Sequence, residues 1–166
     1  KNNSFIKNNI SEKIEKKELN KKYILVNKSN ELKKLIILIR KNGYFAIDTE
    51  TSSLNIEEAT LVGISIAIDE NSAYYIPISH KKLEDNQRIN DQIKETEIIK
   101  LLKPIFNDQS ILKIGHNIKY DLRILSKYHL QLNSIADTML LSYALDNGIT
   151  KHNMDDLAYL HFNHTN

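Results

Sequence analysis

Apolar and polar positions switch between a period of two and a period near 3.6 along this chain, and the switches predict the order βαβββαβαβαα. Tyr23-Ile24-Leu25-Val26 reads as a short strand. Ser29 stands where an N-cap belongs, ahead of Leu32, Leu35, Ile36 and Ile39 at helical spacing, and Gly43 supplies the stop. The unbroken run Tyr44-Phe45-Ala46-Ile47 predicts a strand covered on both faces. Over residues 60–68, Ile64, Ile66 and Ile68 share one face, while Gly63, Ser65 and Ala67 leave the other small enough for close packing. The turn residues Asp69-Glu70-Asn71-Ser72 lead into a strand over 73–78, where Pro77 lacks an N–H and so points to a sheet edge. These three strands form a meander.

Residues 80–90 are polar loop, and Ile98, Leu101, Leu102 and Ile105 then recur at helical spacing, with Pro104 near the helix end. Ile111-Leu112-Lys113-Ile114 predicts a strand parallel to the first, because a helix separates it from the meander. Gly115 and Asn117 turn that strand into a helix over 118–128. A short strand over 132–135 and helices over 137–145 and 154–162 complete the pattern, with Asp155 and Asp156 favouring the start of the last helix through its dipole. No internal repeat is present. The pattern predicts one α/β domain with a mixed sheet, preceded by a polar lead-in over residues 1–20.

The strand run of 44–47 ends in Asp48-Thr49-Glu50, and side chains at i and i+2 of a strand share a face. Two carboxylates about 5 Å apart repel by roughly 3 kcal/mol at an effective dielectric of about 20, a cost that something positive must offset. A third acid follows. On the helix after Asn117, Ile118, Leu122 and Leu125 mark the inward stripe, and Asp121 falls within it. A right-handed crossover brings that strand-to-helix turn beside the Asp48 strand, so three acids from two elements converge. Other fates for Asp121 are a pairing with Arg123 or Lys119, or with a backbone amide.

Composition narrows the chemistry. The chain has no cysteine, which removes disulfides and thiolate metal sites and leaves oxygen ligands to carry any metal. An oxygen-only set suits magnesium or manganese rather than zinc or copper, and two such ions about 4 Å apart serve in-line displacement at phosphorus. His161 and His164 have metal-like spacing but no accompanying ligand pair, and they, His80 and His116 are read as non-ligands. With 23 Lys and Arg against 21 Asp and Glu, bulk positive charge does not drive binding to nucleic acid. No apolar stretch approaches the ~20 residues that span a bilayer, and Lys1-Asn2-Asn3-Ser4 lacks a signal-peptide layout, so the expected location is the cytoplasm, with an organelle as the alternative.

Phe45-Ala46-Ile47-Asp48-Thr49-Glu50-Thr51-Ser52-Ser53-Leu54 resembles the first motif, and Gly115-His116-Asn117-Ile118-Lys119-Tyr120-Asp121 the second motif, of the 3′-to-5′ proofreading exonuclease domain of DNA polymerase I-type (family A) polymerases. The likeness continues through Leu61-Val62-Gly63-Ile64-Ser65, Tyr75-Ile76-Pro77-Ile78, Asp137-Thr138-Met139-Leu140 and His152-Asn153-Met154-Asp155-Asp156-Leu157-Ala158. It implies a ribonuclease H-like three-layer fold of the DEDD group, with helices on both faces of the sheet. It implies that Asp48 and Glu50 bind two divalent ions, Mg2+ or Mn2+, with Asp121 supporting the second through water. It further implies that Thr51 and Leu54 touch the terminal nucleotide, and that Asn117 and Tyr120 hold the frayed strand. The implied partners are a single-stranded or frayed 3′ end of DNA and a polymerase region of the same parent chain, with no membrane.

The family's third motif, a tyrosine followed four residues later by an aspartate, does not occur before Asn166. The expectation is therefore a domain over 21–166 truncated before that motif, active in the parent and impaired as this fragment. A non-catalytic platform within a polymerase and an RNA 3′-to-5′ exonuclease are the alternatives. Simpler roles also exist for single residues: Asn117 as a helix cap, Thr51 as a polar turn residue, and Leu54 and Tyr120 as packing.

Overall fold

The computed structural model describes residues 21–146 and 151–165, so the lead-in over 1–20 lies outside the described residues. The predicted order appears in full: β1 (Lys22–Leu25), α1 (Ser29–Asn42), β2 (Tyr44–Thr51), β3 (Leu61–Ala67), β4 (Ser72–Pro77), α2 (Glu95–Asn107), β5 (Leu112–Gly115), α3 (Lys119–Ser126), β6 (Ile135–Asp137), α4 (Thr138–Leu145) and α5 (Met154–Phe162). One mixed sheet holds the strands in the order β1-β4-β3-β2-β5-β6. β3 pairs antiparallel with β2 and β4, and every other pairing is parallel, so β3 alone runs against the rest.

Four local expectations change. Helix α1 starts at Ser29, but Lys28 occupies the cap position, and its N–H donates to the Glu31 carboxylate at 3.3 Å. β4 is not an edge, because β1 covers it in parallel. Pro77 pairs with Gly63 of β3 but needs no donor on its other side, since β1 reaches only as far as Tyr75. The β2 run is apolar by type, yet it alternates: Phe45, Ile47 and Thr49 are buried, while Tyr44, Ala46, Asp48 and Glu50 are exposed. The last strand forms at 135–137 rather than 132–135, where it pairs Lys113 to Gly115 of β5.

The core lies against the Phe45 and Ile47 face. Leu32, Leu35 and Ile39 of α1 and Ile98, Leu102, Ile105 and Phe106 of α2 bury here, with Phe45 stacked on Phe106 at 5.9 Å between ring centres. Gly43 ends α1 in the left-handed region at φ 78°, where a side chain is strained, and its N–H closes on the Ile39 carbonyl. That tight stop lets β2 begin at once, so its C-terminal end carries Asp48 and Glu50 out of the middle of the sheet.

Candidate active site

Register fixes the acids. Asp48 pairs with Ser65 and Glu50 with Gly63, and the two carboxylates share the exposed face of β2 as their spacing predicts. Between them Thr49 turns to the buried face, and there it meets α3. Asp121, 3% exposed, accepts hydrogen bonds on Oδ1 from the Thr49 backbone N–H at 2.9 Å and from Thr49 Oγ1 at 2.6 Å. The inward aim of Asp121 read from helical spacing is therefore present, and of the three other fates the backbone amide is the one found. Arg123 instead pairs with Glu57 at 3.1 Å.

The electrostatics follow from this convergence. Asp48 keeps contact with solvent, yet partial burial of its carboxyl, then the charges of Asp121 and Glu50, push it above the ordinary 3.8 despite a backbone hydrogen bond from Thr49. Burial likewise raises Asp121, against the two Thr49 bonds. Among the described residues no lysine or arginine forms an ion pair with Asp48, Glu50 or Asp121. Three oxygen donors that repel one another without a protein cation are chemically suited to a hard divalent ion. Among the described residues no three acidic or histidine side chains are yet drawn together at ligating geometry.

Beyond β2 the chain forms a braced loop. Thr51 Oγ1 and Tyr120 Oη share a 2.7 Å hydrogen bond, and Tyr120 donates to the Ser53 carbonyl at 2.8 Å. Ser52 and Thr60 bond across the loop base, and Lys127 of the turn after α3 donates to the Ile56 and Ala59 carbonyls. Leu54 is thereby held out at 92% exposure. Thr51 and Tyr120 thus brace the loop that carries Leu54, while Asn117 lies in the turn after β5, exposed and left-handed at φ 59°.

The Asn117 turn depends on a residue that spacing alone did not single out. Asp137 accepts from the N–H groups of Asn117 at 3.1 Å and Ile118 at 3.0 Å, and also from Met139 and Leu140 at the start of α4. One buried carboxylate thus caps two helices, which leaves the capping expected of Asn117 to Asp137. An aspartate directly ahead of Thr138-Met139-Leu140 was the available signal. His161 and His164 are exposed.

A mixed six-stranded sheet with acids gathered at the end of a central strand defines an α/β exonuclease fold of the ribonuclease H-like DEDD type. A family model described as "3'-5' exonuclease" matches residues 23–165, and the chain belongs to that family, in the form carried by DNA polymerase I. The chain is 36% identical over 156 residues to DNA polymerase I of Rhizobium leguminosarum, covering 86% of this chain and 15% of the relative. It is 37% identical over 123 residues to DNA polymerase I of Pseudomonas aeruginosa, covering 72% of this chain and 13% of that protein. The chain therefore spans a small part of these relatives. In fold it resembles Trypanosoma brucei RNase D, with a TM-score of 0.71 at 13% identity over 89% of this chain and 50% of that one. No described helix is long and apolar enough to cross a membrane.

Proposed function

We propose that this domain removes nucleotides one at a time from a single-stranded or frayed 3′ end of DNA, as the proofreading part of a DNA polymerase I. The observation that carries this is the meeting of Asp121 with Thr49, which ties a third carboxylate to the residue between Asp48 and Glu50, with no protein cation among the described residues to balance the three. Asp48, Glu50 and Asp121 would hold two magnesium or manganese ions. Such ions, when bound, supply a water nucleophile at neutral pH and stabilise the leaving oxygen at phosphorus. The protein's share is placement. Leu54, projecting into solvent from a braced loop, offers an apolar wedge for the terminal base, a contact that tolerates any sequence. Thr51 and Tyr120 fix that loop against α3, and Asn117 presents the turn over which the strand would lie.

We also infer that residues 21–166 form a domain lacking its third motif, because three carboxylates are a sparse set for two ions. These 166 residues alone are then impaired, and a chain that continues through a Tyr-x-x-x-Asp helix and a polymerase region is active. The test compares both on a labelled single-stranded DNA end and on the same end in RNA, with magnesium, manganese or chelator. Metal-dependent release of mononucleotides from DNA, abolished in the longer chain by Asp48→Asn, is expected. Faster trimming of RNA would move the substrate to RNA. No cleavage and no metal-dependent thermal shift in the longer chain would leave a non-catalytic platform.

A further inference from the structure

The face of β3 left small by Gly63 and Ser65 is occupied, and its occupant reaches over the register partner of Glu50. Tyr75 pairs with Ser65 across β3 and β4, so its ring lies on the same sheet face as Asp48 and Glu50. From there it leans diagonally over Gly63. A Cβ on Gly63 would collide with the Tyr75 hydroxyl, so only glycine leaves that path open. Gly63 is the register partner of Glu50.

Behind Tyr75 stands a fixed support. The Tyr75 hydroxyl lies 2.7 Å from His80 Nε2, with the two rings edge to face at 5.6 Å. His80 is itself clamped by the buried Gln92, which accepts from the His80 N–H at 2.8 Å and donates to its carbonyl at 3.0 Å. Gln92 also donates to the Ile89 carbonyl at 2.7 Å. A polar loop over 80–92 is thus fastened to the sheet with one ring nitrogen aimed at one phenol. Partial burial, and after it the Glu50 charge, raises the Tyr75 hydroxyl above its ordinary value.

We propose that Tyr75 is a positioning residue for Glu50: His80 Nε2–H donates to the phenol oxygen, which frees the phenol proton to be directed at the Glu50 carboxylate and so fixes its rotamer for a cation. The inference rests on Glu50 being a metal ligand, as proposed above. It gives the glycine at 63, the tyrosine at 75, the histidine at 80 and the glutamine at 92 one shared purpose, which a role in packing alone does not require. A hydrogen-bond donor behind a ligating carboxylate orients it, and loss of such a partner commonly lowers metal affinity 10- to 100-fold.

The test titrates Mn2+ into the 166-residue chain by electron paramagnetic resonance, for the wild type, Tyr75→Phe, His80→Phe and Glu50→Gln, with melting temperatures measured in chelator. Tyr75→Phe keeps the ring and removes one oxygen, so it is expected to melt near the wild type while binding Mn2+ about tenfold more weakly. His80→Phe is expected to follow it in direction, and Glu50→Gln to lose more. Gly63→Ala offers a second route, since its methyl displaces the phenol and should weaken binding similarly in any variant that still melts cooperatively. Wild-type Mn2+ affinity in Tyr75→Phe, beside a clear loss in Glu50→Gln, would overturn the positioning role. Unchanged affinity in Glu50→Gln would instead remove Glu50 from the ligand set, and the positioning role with it.

Discussion

Asp137 carries two helix starts on one carboxylate, and its protonation is therefore a stability event. Burial favours the neutral form, but the N–H groups of Asn117, Leu140, Ile118 and Met139 outweigh it and hold the carboxyl below the ordinary 3.8. A depressed folded-state value stabilises the protein above the unfolded value, and that stability is lost as pH falls through the folded value. Asp137→Ala should cost about 1–3 kcal/mol in urea denaturation at neutral pH. Asp137→Asn should flatten the loss of stability of the wild type below about pH 4; a parallel pH profile in both proteins would exclude this role. Asp48 works in the opposite sense. Its raised value means that the metal-free protein loses stability as pH climbs above 3.8. Asp48→Asn should therefore raise metal-free stability by up to about 1 kcal/mol, after allowing for solvent screening, while abolishing activity in a longer chain. A lower metal-free midpoint in Asp48→Asn would show that the acid is structural. Of these residues, Asp48, Glu50 and Asp121 were legible because a period-two strand and a 3.6-period helix fix direction from spacing alone. Asp137 and Lys113 were not. Lys113 is fully buried on a strand because its Nζ donates to the Ile111 carbonyl at 2.8 Å and to that of Asp108.

At the scale of elements, α3 does more than present Asp121. Tyr120, Arg123 and Lys127 recur at helical spacing and reach Ser53, Glu57 and the Ile56 and Ala59 carbonyls in turn, so one face of the helix and its exit turn hold the Leu54 loop. Asp121 and the Leu54 loop are thus both set by a single rigid element. Tyr120→Phe removes the bonds to Thr51 and Ser53 and should cost about 1 kcal/mol in global stability. Its sharper signature is expected in hydrogen exchange, with faster exchange at residues 52–60 and unchanged protection in α1 and α2. Uniform change across the domain, or none in the loop, would contradict the brace. The order of elements was readable from periodicity because each is a local property. Strand neighbours were not: β1 joins β4 in parallel across a long stretch of chain, which made Pro77 look like an edge residue. The exposed side of β2 was hidden for a related reason, since residue type says that Tyr44 and Ala46 are apolar and not that anything covers them.

Among the described residues, two groups of apolar side chains differ in energetic weight. One is the core around Leu35, Ile64, Phe106 and their neighbours, from which solvent is excluded. The other belongs to α4 and α5, which contain no buried residue, although Leu141, Leu145, Met154, Leu160 and Phe162 line a groove of about 410 Å³ between them. Leu141 and Leu160 are 54% and 55% exposed, so truncating either removes little burial. Leu35, 1% exposed, is the contrast. Leu35→Ala should cost about 2–5 kcal/mol through lost transfer energy and a cavity. The double variant Leu141→Ser/Leu160→Ser should stay within about 0.5 kcal/mol of the wild type for each site. An apolar groove open to solvent should also bind a hydrophobic fluorescent dye in the native state, at temperatures where near-ultraviolet circular dichroism reports intact packing. That fluorescence should fall in the double variant and persist in Leu35→Ala below its melting point. A native wild type that fails to bind the dye, or a double variant that melts as early as Leu35→Ala, would place α4 and α5 within the cooperative core instead.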